Sequence, residues 1–148
     1  MSELTITAAN PVALANRLRP VLLQLNRELR REIHSLGVTG GQAALLIQVK
    51  KRPGIGVREL AELERVSAPA MSKAIDKLER AGLVTRERGS DRRRVGIQLT
   101  AEGDRVLTSV RRRRTAGLAA RLTALSPAEL DAVDAALEPL ISLLEVHA

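Results

Sequence analysis

The sequence of 148 residues contains no cysteine and no Phe, Tyr or Trp. Without cysteine the chain can form no disulfide, no thiolate nucleophile and no zinc–cysteine site. Without aromatic side chains it cannot stack the bases of single-stranded DNA or RNA, as many binders of single strands do. The core must therefore be aliphatic, and single-stranded nucleic acid is an unfavoured ligand.

Histidine and long apolar runs are also scarce. The two histidines, His34 and His147, are far apart in sequence, so we expect no histidine-based metal or catalytic site and no cofactor. The longest apolar run, residues 43 to 47, is far too short to span a membrane. The N-terminus carries Glu3 and lacks the basic cluster of a secretory signal, so we expect no such signal. The acidic residues are scattered beside Lys or Arg. We therefore expect a cytoplasmic protein that is not an enzyme.

Positive charge is concentrated in the middle of the chain. The net charge is +7, with a pI near 11.1. Residues 65 to 94 contain nine basic and four acidic side chains, whereas residues 126 to 148 contain five acidic side chains and no basic one. Duplex DNA is the polyanion that can be bound without aromatic side chains. The pattern predicts a DNA-binding middle segment and an acidic end that is engaged elsewhere.

Capping signals and helical periodicity predict six helices in a single domain. The first begins at Asn10-Pro11 and carries apolar residues every three or four positions up to Leu36, with Gly37 as its stop and a kink or break at Pro20. The other helices are predicted at about residues 40–51, 58–64, 68–81, 101–124 and from 127 to the end, with a kink at Pro139.

Between Leu83 and Thr100 the sequence predicts two strands, residues 83–88 and 95–99, joined by the turn residues 89–91. Residues 55–57 are long enough only for an edge strand or a turn. The predicted fold class is therefore mainly α with a small β-hairpin whose tip is rich in arginine.

The third and fourth helices have the pattern of a helix-turn-helix, joined by residues 65–67. Leu60, Ala61 and Val66 are expected to face inward, and Ile75 and Leu78 to bury the fourth helix. A basic hairpin directly after this unit is typical of the wing of a winged helix. A sequence-tolerant architectural DNA binder and a pure protein-interaction module remain alternatives.

Three stretches carry a resemblance to a known family. They are Leu60-Ala61, residues 67–83 (SAPAMSKAIDKLERAGL), and residues 91–100 (DRRRVGIQLT) followed by Glu102-Gly103. Over essentially its whole length the chain resembles the MarR family of winged helix-turn-helix transcriptional regulators.

The resemblance implies one domain, residues 1–148, in which residues 39–100 form the DNA-binding lobe and residues 1–38 and 101–148 supply dimerisation helices. It further implies a homodimer on pseudo-palindromic duplex DNA. Such proteins are usually repressors released by a small molecule, often an anionic aromatic one bound in a crevice between the dimer helices and the lobe. The positively charged fifth helix could hold a carboxylate, although no residue pattern identifies the pocket.

Helical geometry indicates which residues of the fourth helix can reach DNA. Its N-terminal half is the part that contacts base edges, which favours the outward-facing Lys73 as a donor to guanine and Pro69 and Ala70 as contacts of thymine methyl groups. Asp76 is expected to pair with Lys73 or Arg80 on its own helix rather than to read cytosine. The predicted DNA-binding residues of this region are Ser67, Pro69, Ala70, Ser72, Lys73 and Lys77.

The wing supplies a second group of candidates, which form an electrostatic footprint around a narrow groove. The resemblance implies that Arg93 enters the minor groove and that Asp91 pairs with an arginine to fix the wing. A merely solvated hairpin is the alternative. The predicted DNA-binding residues of the wing are Arg86, Arg88, Asp91, Arg92, Arg93 and Arg94.

Apolar stripes on the first and last helices exceed what one small lobe can cover, so we expect them to form the dimer interface. The candidate interface residues are Leu14, Leu18, Leu22 and Val133. Arg111 to Arg114 sweep around the fifth helix, and at least one of them is expected to face a partner or an acidic residue.

Overall fold

The computed structural model describes residues 9–89 and 94–145 of the chain. Within these residues the fold consists of six α-helices, one short 3-10 helix and one antiparallel hairpin, and the six helices and the hairpin are those that the sequence predicts. In chain order the elements are α1 (Pro11–Arg31), a 3-10 turn (His34–Leu36), α2 (Gly40–Lys51), α3 (Val57–Glu64), α4 (Ala68–Arg80), β1 (Val84–Arg88), β2 (Val95–Leu99), α5 (Ala101–Thr123) and α6 (Pro127–Glu145).

Helix α1 begins where its cap predicts but ends earlier than expected. The Asn10 side chain accepts hydrogen bonds from the backbone N–H groups of Val12 and Ala13 at 2.9 and 3.2 Å. The helix ends at Arg31, not near Leu36, because Ile33 leaves the helical path and enters the core, where it is fully buried. Of the predicted kink or break at Pro20, the break does not occur, since the helix runs through this residue.

The core of the lobe is aliphatic, as the absence of aromatic residues requires. Among the residues that the structure describes, no polar or charged residue is buried. Helices α2 to α5 and the hairpin meet around it, so that a single apolar cluster fixes the position of the helix-turn-helix. Its fully buried large side chains are Ile33, Leu46, Val49, Leu60, Met71, Ile75, Leu78, Val84, Ile97 and Val110.

Strand β2 is the central strand of a small sheet. It pairs with β1 in the register Val84↔Leu99 to Arg88↔Val95, and its other edge meets Ile55. The Ile97 N–H donates to the Ile55 carbonyl at 2.8 Å, so within the segment predicted as an edge strand or a turn only Ile55 forms a β-bridge, and Val57 already begins α3. Gly96 permits this approach, because a Cβ there would lie 2.5 Å from the carbonyl oxygen of Gly54.

Helices α1 and α6 pack little against the lobe. Within the described residues neither helix contains a buried residue, and the buried residues of α5 all lie in its first half. None of the described helices combines the length and the apolarity that a membrane span needs. Helices α1, α5 and α6 nevertheless carry many large apolar side chains that are exposed. These are Val12, Leu14, Val21, Leu22, Leu23, Leu25, Leu118, Leu130, Val133, Leu137, Ile141, Leu143 and Leu144.

Candidate nucleic-acid interface

Helices α3 and α4 form the predicted helix-turn-helix. Leu60 and Ala61 of α3 are buried, and so are Ile75 and Leu78 of α4, which turns the opposite face of α4 to the surface. The prediction that Val66 faces inward is wrong, because Val66 is 46% exposed. It lies in the turn, at the edge of a surface groove, and the core of this unit closes without it.

The turn between the two helices contains a strained residue. Arg65 has φ 55° and ψ 44°, and it alone among the described residues other than glycine has a positive φ. An L-residue in this region is destabilised by about 1–2 kcal/mol relative to its ordinary conformations. Glycine avoids the strain, and the sequence carries an exposed arginine there instead. Arg65 is not among the candidates predicted from the sequence. Turns of this kind often contain glycine, so the lack of glycine in residues 65–67 was the signal that could have pointed to it.

The N-terminal half of α4 is capped and exposed. The Ser67 hydroxyl accepts a hydrogen bond from the Ala70 N–H at 3.2 Å, which leaves its own O–H free to donate to a ligand. Pro69, Ala70 and Lys73 are exposed, and Ser72 is half-buried. Four of the six predicted residues of this region, Ser67 included, therefore lie together at one accessible helix end.

One flank of α4 borders an open groove of about 510 Å³ between α4 and the start of α2. Ala70, Lys73 and Lys77 line it from α4, and Gln42 lines it from α2. The two lysines stand one helical turn apart on the same side of α4. Glu64 is the acidic residue of the lining, so the groove carries a net positive charge beside the N-terminal half of the helix.

The other flank of α4 is occupied by Arg86 of strand β1. The Arg86 guanidinium lies 2.8 Å from the Asp76 carboxylate and 3.0 Å from that of Glu79. The predicted pairing of Asp76 within α4 is therefore wrong: Arg80 donates to the backbone carbonyl of Asp76 at 3.3 Å, while the carboxylate faces the hairpin. Spacing along one helix could not reveal a partner that arrives from a strand.

At the far end of the hairpin, Arg88 and Arg94 are both exposed, and the strands close with a hydrogen bond from the Gly89 N–H to the Arg94 carbonyl at 3.4 Å. The remaining wing candidates, Asp91, Arg92 and Arg93, lie outside the described residues. Their roles stay predictions.

Helix α5 carries a second positive region, away from α4. Arg113 donates to the Ser35 hydroxyl at 3.0 Å, so one member of the arginine run faces another part of the chain, although that contact is neutral. Arg114 borders a cavity of about 220 Å³ with Ile47, Leu107 and Val110. Burial, and secondarily the nearby Arg30, lower the pKa of Arg114, and its Nε is buried without a hydrogen-bond partner among the described residues.

Comparisons with known proteins identify this architecture. The sequence profile of the MarR family matches residues 38–95, which contain α2, α3, α4 and β1 and end at the first residue of β2. The HTH-type transcriptional repressor MdtR of Bacillus subtilis (strain 168) is 31% identical over 114 residues, which cover 76% of this chain and 74% of that relative. The chain belongs to the MarR family.

Solved structures of the MarR fold agree with this assignment. A MarR family protein from Bacillus stearothermophilus is 25% identical and superposes with a TM-score of 0.79, covering 93% of this chain and 99% of that one. A variant of MepR from Staphylococcus aureus, bound to an oligodeoxyribonucleotide, has the same fold at 21% identity, with a TM-score of 0.68 and coverage of 88% and 97%. The relatives found by sequence are named as transcriptional regulators, not as enzymes. The chain is thus a DNA-binding transcriptional regulator of the MarR type.

Proposed function

We propose that the chain binds pseudo-palindromic duplex DNA as a homodimer, with α4 of each copy in the major groove and the hairpin in the adjacent minor groove. The observation that carries the proposal is the exposed, capped N-terminal half of α4, with Lys73 pointing outward beside a positively charged groove. A lysine there can donate to guanine O6 or N7, and Pro69 and Ala70 can contact thymine methyl groups. In this proposal residues 39–100 are the DNA-binding lobe.

Dimerisation would be the task of the two ends of the chain, residues 1–38 and 101–148. Leu14, Leu22 and Val133 are 47%, 45% and 42% exposed, and they belong to long helices that the lobe leaves uncovered. Burying apolar surface is favourable by about 25 cal/mol per Å², so faces this extensive favour a partner. A second copy provides the same faces by symmetry, and it would present two α4 helices to two half-sites.

The likeness to a relative named as a repressor supports a repressor role for this chain. We place the effector in the cavity beside Arg114, between α2 and α5. A guanidinium whose buried Nε has no hydrogen-bond partner in the described part of the chain favours an anion, and the aliphatic lining of Ile47, Leu107 and Val110 favours an apolar body. The effector would therefore be a small organic carboxylate. The protein would act in the cytoplasm, where it meets its DNA.

Enrichment of genomic fragments tests the function directly. The full-length chain is immobilised and incubated with sheared duplex DNA from the source genome, and the bound fragments are sequenced. A Lys73→Ala, Arg88→Gln double variant serves as the matched control. We expect the wild-type chain to enrich a few fragments that share an inverted repeat. Uniform recovery of all fragments would instead indicate an architectural DNA binder, and no recovery would indicate a protein-interaction module.

A further inference from the structure

The flank of α4 that faces the hairpin carries three polar groups in one stripe. Ser72, Asp76 and Glu79 are spaced i, i+4 and i+7, which places them within about 60° of one another on the helix surface. This stripe borders the outward face that holds Pro69 and Lys73. Its two carboxylates therefore lie close to the surface that would approach the DNA phosphates.

Strand alternation brings Arg86 onto this stripe. Val84, two residues before Arg86, is 1% exposed, and Ile97, the cross-strand partner of Arg86, is fully buried. This face of the hairpin therefore packs on the lobe. The side chain of Arg86 projects from this same face, at the point where α4 packs beside the strand. Only 23% of the Arg86 side chain is exposed.

Arg86 contacts every member of the stripe. Its guanidinium lies 2.8 Å from Asp76 and 3.0 Å from Glu79, and it donates to the Ser72 carbonyl and hydroxyl at 3.3 and 3.4 Å. The backbone N–H of Arg86 also donates to Glu79, at 3.2 Å. A planar guanidinium with several donors can hold this set of acceptors at once, whereas the point charge of a lysine cannot.

We propose that Arg86 is a positioning residue that fixes the wing relative to the recognition helix α4, rather than a direct DNA contact. The proposal rests on the proposed function. If α4 and the wing must enter neighbouring grooves together, their relative placement determines how well a base sequence can be read. The same contacts neutralise two carboxylates that would otherwise repel the phosphate backbone.

Arg86 and Arg88 form a natural pair for the test, because both lie on the same face of β1 and each contributes one positive charge. The dissociation constant is measured at several salt concentrations for Arg86→Gln, Arg86→Lys and Arg88→Gln. The probes are a duplex selected by the wild-type chain from a random library and a scrambled duplex of equal composition.

For a positioning role, Arg86→Gln and Arg86→Lys both raise Kd for the selected duplex about tenfold and change Kd for the scrambled duplex much less. For Arg86→Lys, which keeps a positive charge beside the two carboxylates, the salt dependence on the selected duplex stays that of the wild type. Arg88→Gln weakens binding to both duplexes similarly and reduces the log–log salt slope by about 0.9. If Arg86→Gln reduces the slope by this amount while Arg86→Lys restores wild-type binding, Arg86 contacts a phosphate and the proposal is overturned.

Glu79→Gln provides a test in which electrostatics and positioning predict opposite changes in the affinity for the selected duplex. It also leaves Arg86 in place. Removing a negative charge near DNA would tighten binding to both duplexes by simple electrostatics, whereas loss of positioning weakens binding to the selected duplex. Tighter binding to both duplexes contradicts the proposal, even if Arg86→Gln does not fold. A wild-type chain that fails to distinguish the two duplexes would instead refute the proposed function, and that control is measured first.

Discussion

The Thr100 hydroxyl donates a 2.6 Å hydrogen bond to the carbonyl of Gly82 and accepts one from the Gly103 N–H at 2.9 Å. It thus ties the segment that follows α4 to the start of α5. Gly103 completes this junction, because a Cβ at that position would overlap the carbonyl oxygen of Leu83. Leu99-Thr100 and Gly103, which belong to the stretches that resemble the MarR family, therefore have a structural role: they hold the helix-turn-helix and the hairpin on α5.

Gly103→Ala should destabilise the chain by about 2–4 kcal/mol, because either the helix or the Leu83 carbonyl must move. Gly41→Ala is the matched control, also in the first turn of a helix, where the nearest atom lies 3.8 Å from the added Cβ. The control should be neutral or stabilising, by up to about 1 kcal/mol. Urea unfolding of both variants measures the difference, and equal stability would contradict the packing argument.

Arg65→Gly should stabilise the chain by about 1 kcal/mol, because glycine adopts φ 55° without strain. Arg65→Ala removes the same side chain but retains the strain, so it should show no comparable gain. The free energy of unfolding of the two variants separates backbone from side-chain effects. If both variants have the same stability, the left-handed conformation is not a source of strain.

Leu137→Glu should weaken dimerisation, because it places a charge in the exposed apolar stripe of α6, where Leu137 is 50% exposed in the single chain. Ala135→Glu introduces the same side chain on the opposite side of the helix and should leave the dimer intact. Sedimentation measures the mass of both variants. A dimeric Leu137→Glu variant with wild-type affinity between protomers would remove this stripe from the interface.

Arg114→Met should raise the free energy of unfolding by up to about 1 kcal/mol, because it replaces a partly buried cation beside Arg30 by an unbranched apolar side chain. It should also abolish binding of benzoate, used as a simple apolar carboxylate. The lowered pKa of Arg114 favours its neutral form, but a guanidinium remains charged at neutral pH. The gain in stability from Arg114→Met should therefore not vary with pH near neutrality. Calorimetry with Arg112→Met as control checks both effects, and retained benzoate binding would exclude Arg114 from the site.

The local elements were predictable because their signals are local. Capping signals predict where the helices begin, and the structure forms caps at Asn10 and Ser67 and capping boxes at Thr39 and Ser126. The aliphatic core of the helix-turn-helix also follows from spacing along each helix.

What could not be predicted depends on contacts between elements. The sequence shows Arg86 as one of several wing arginines, and only the packing of the hairpin on α4 distinguishes it from Arg88. Likewise, α1 ends before its apolar stripe does, because Ile33 is buried in the core instead of continuing the helix. Helical periodicity does not show that core packing competes with the helix at this position. The exposure of Val66 has the same origin, since the turn needs no buried residue there.

The central claim is that the exposed end of α4 reads base sequence, and Lys73→Ala tests it most directly. The measurement is the ratio of Kd values for a selected and a scrambled duplex at fixed salt, which we expect to be at least about 10³ for the wild-type chain. Lys73→Ala should lose about 1–3 kcal/mol on the selected duplex and little on the scrambled one, because a base-edge contact disappears. Equal losses on the two duplexes would show that Lys73 contacts only phosphate and would contradict the assignment of α4 as the reading element.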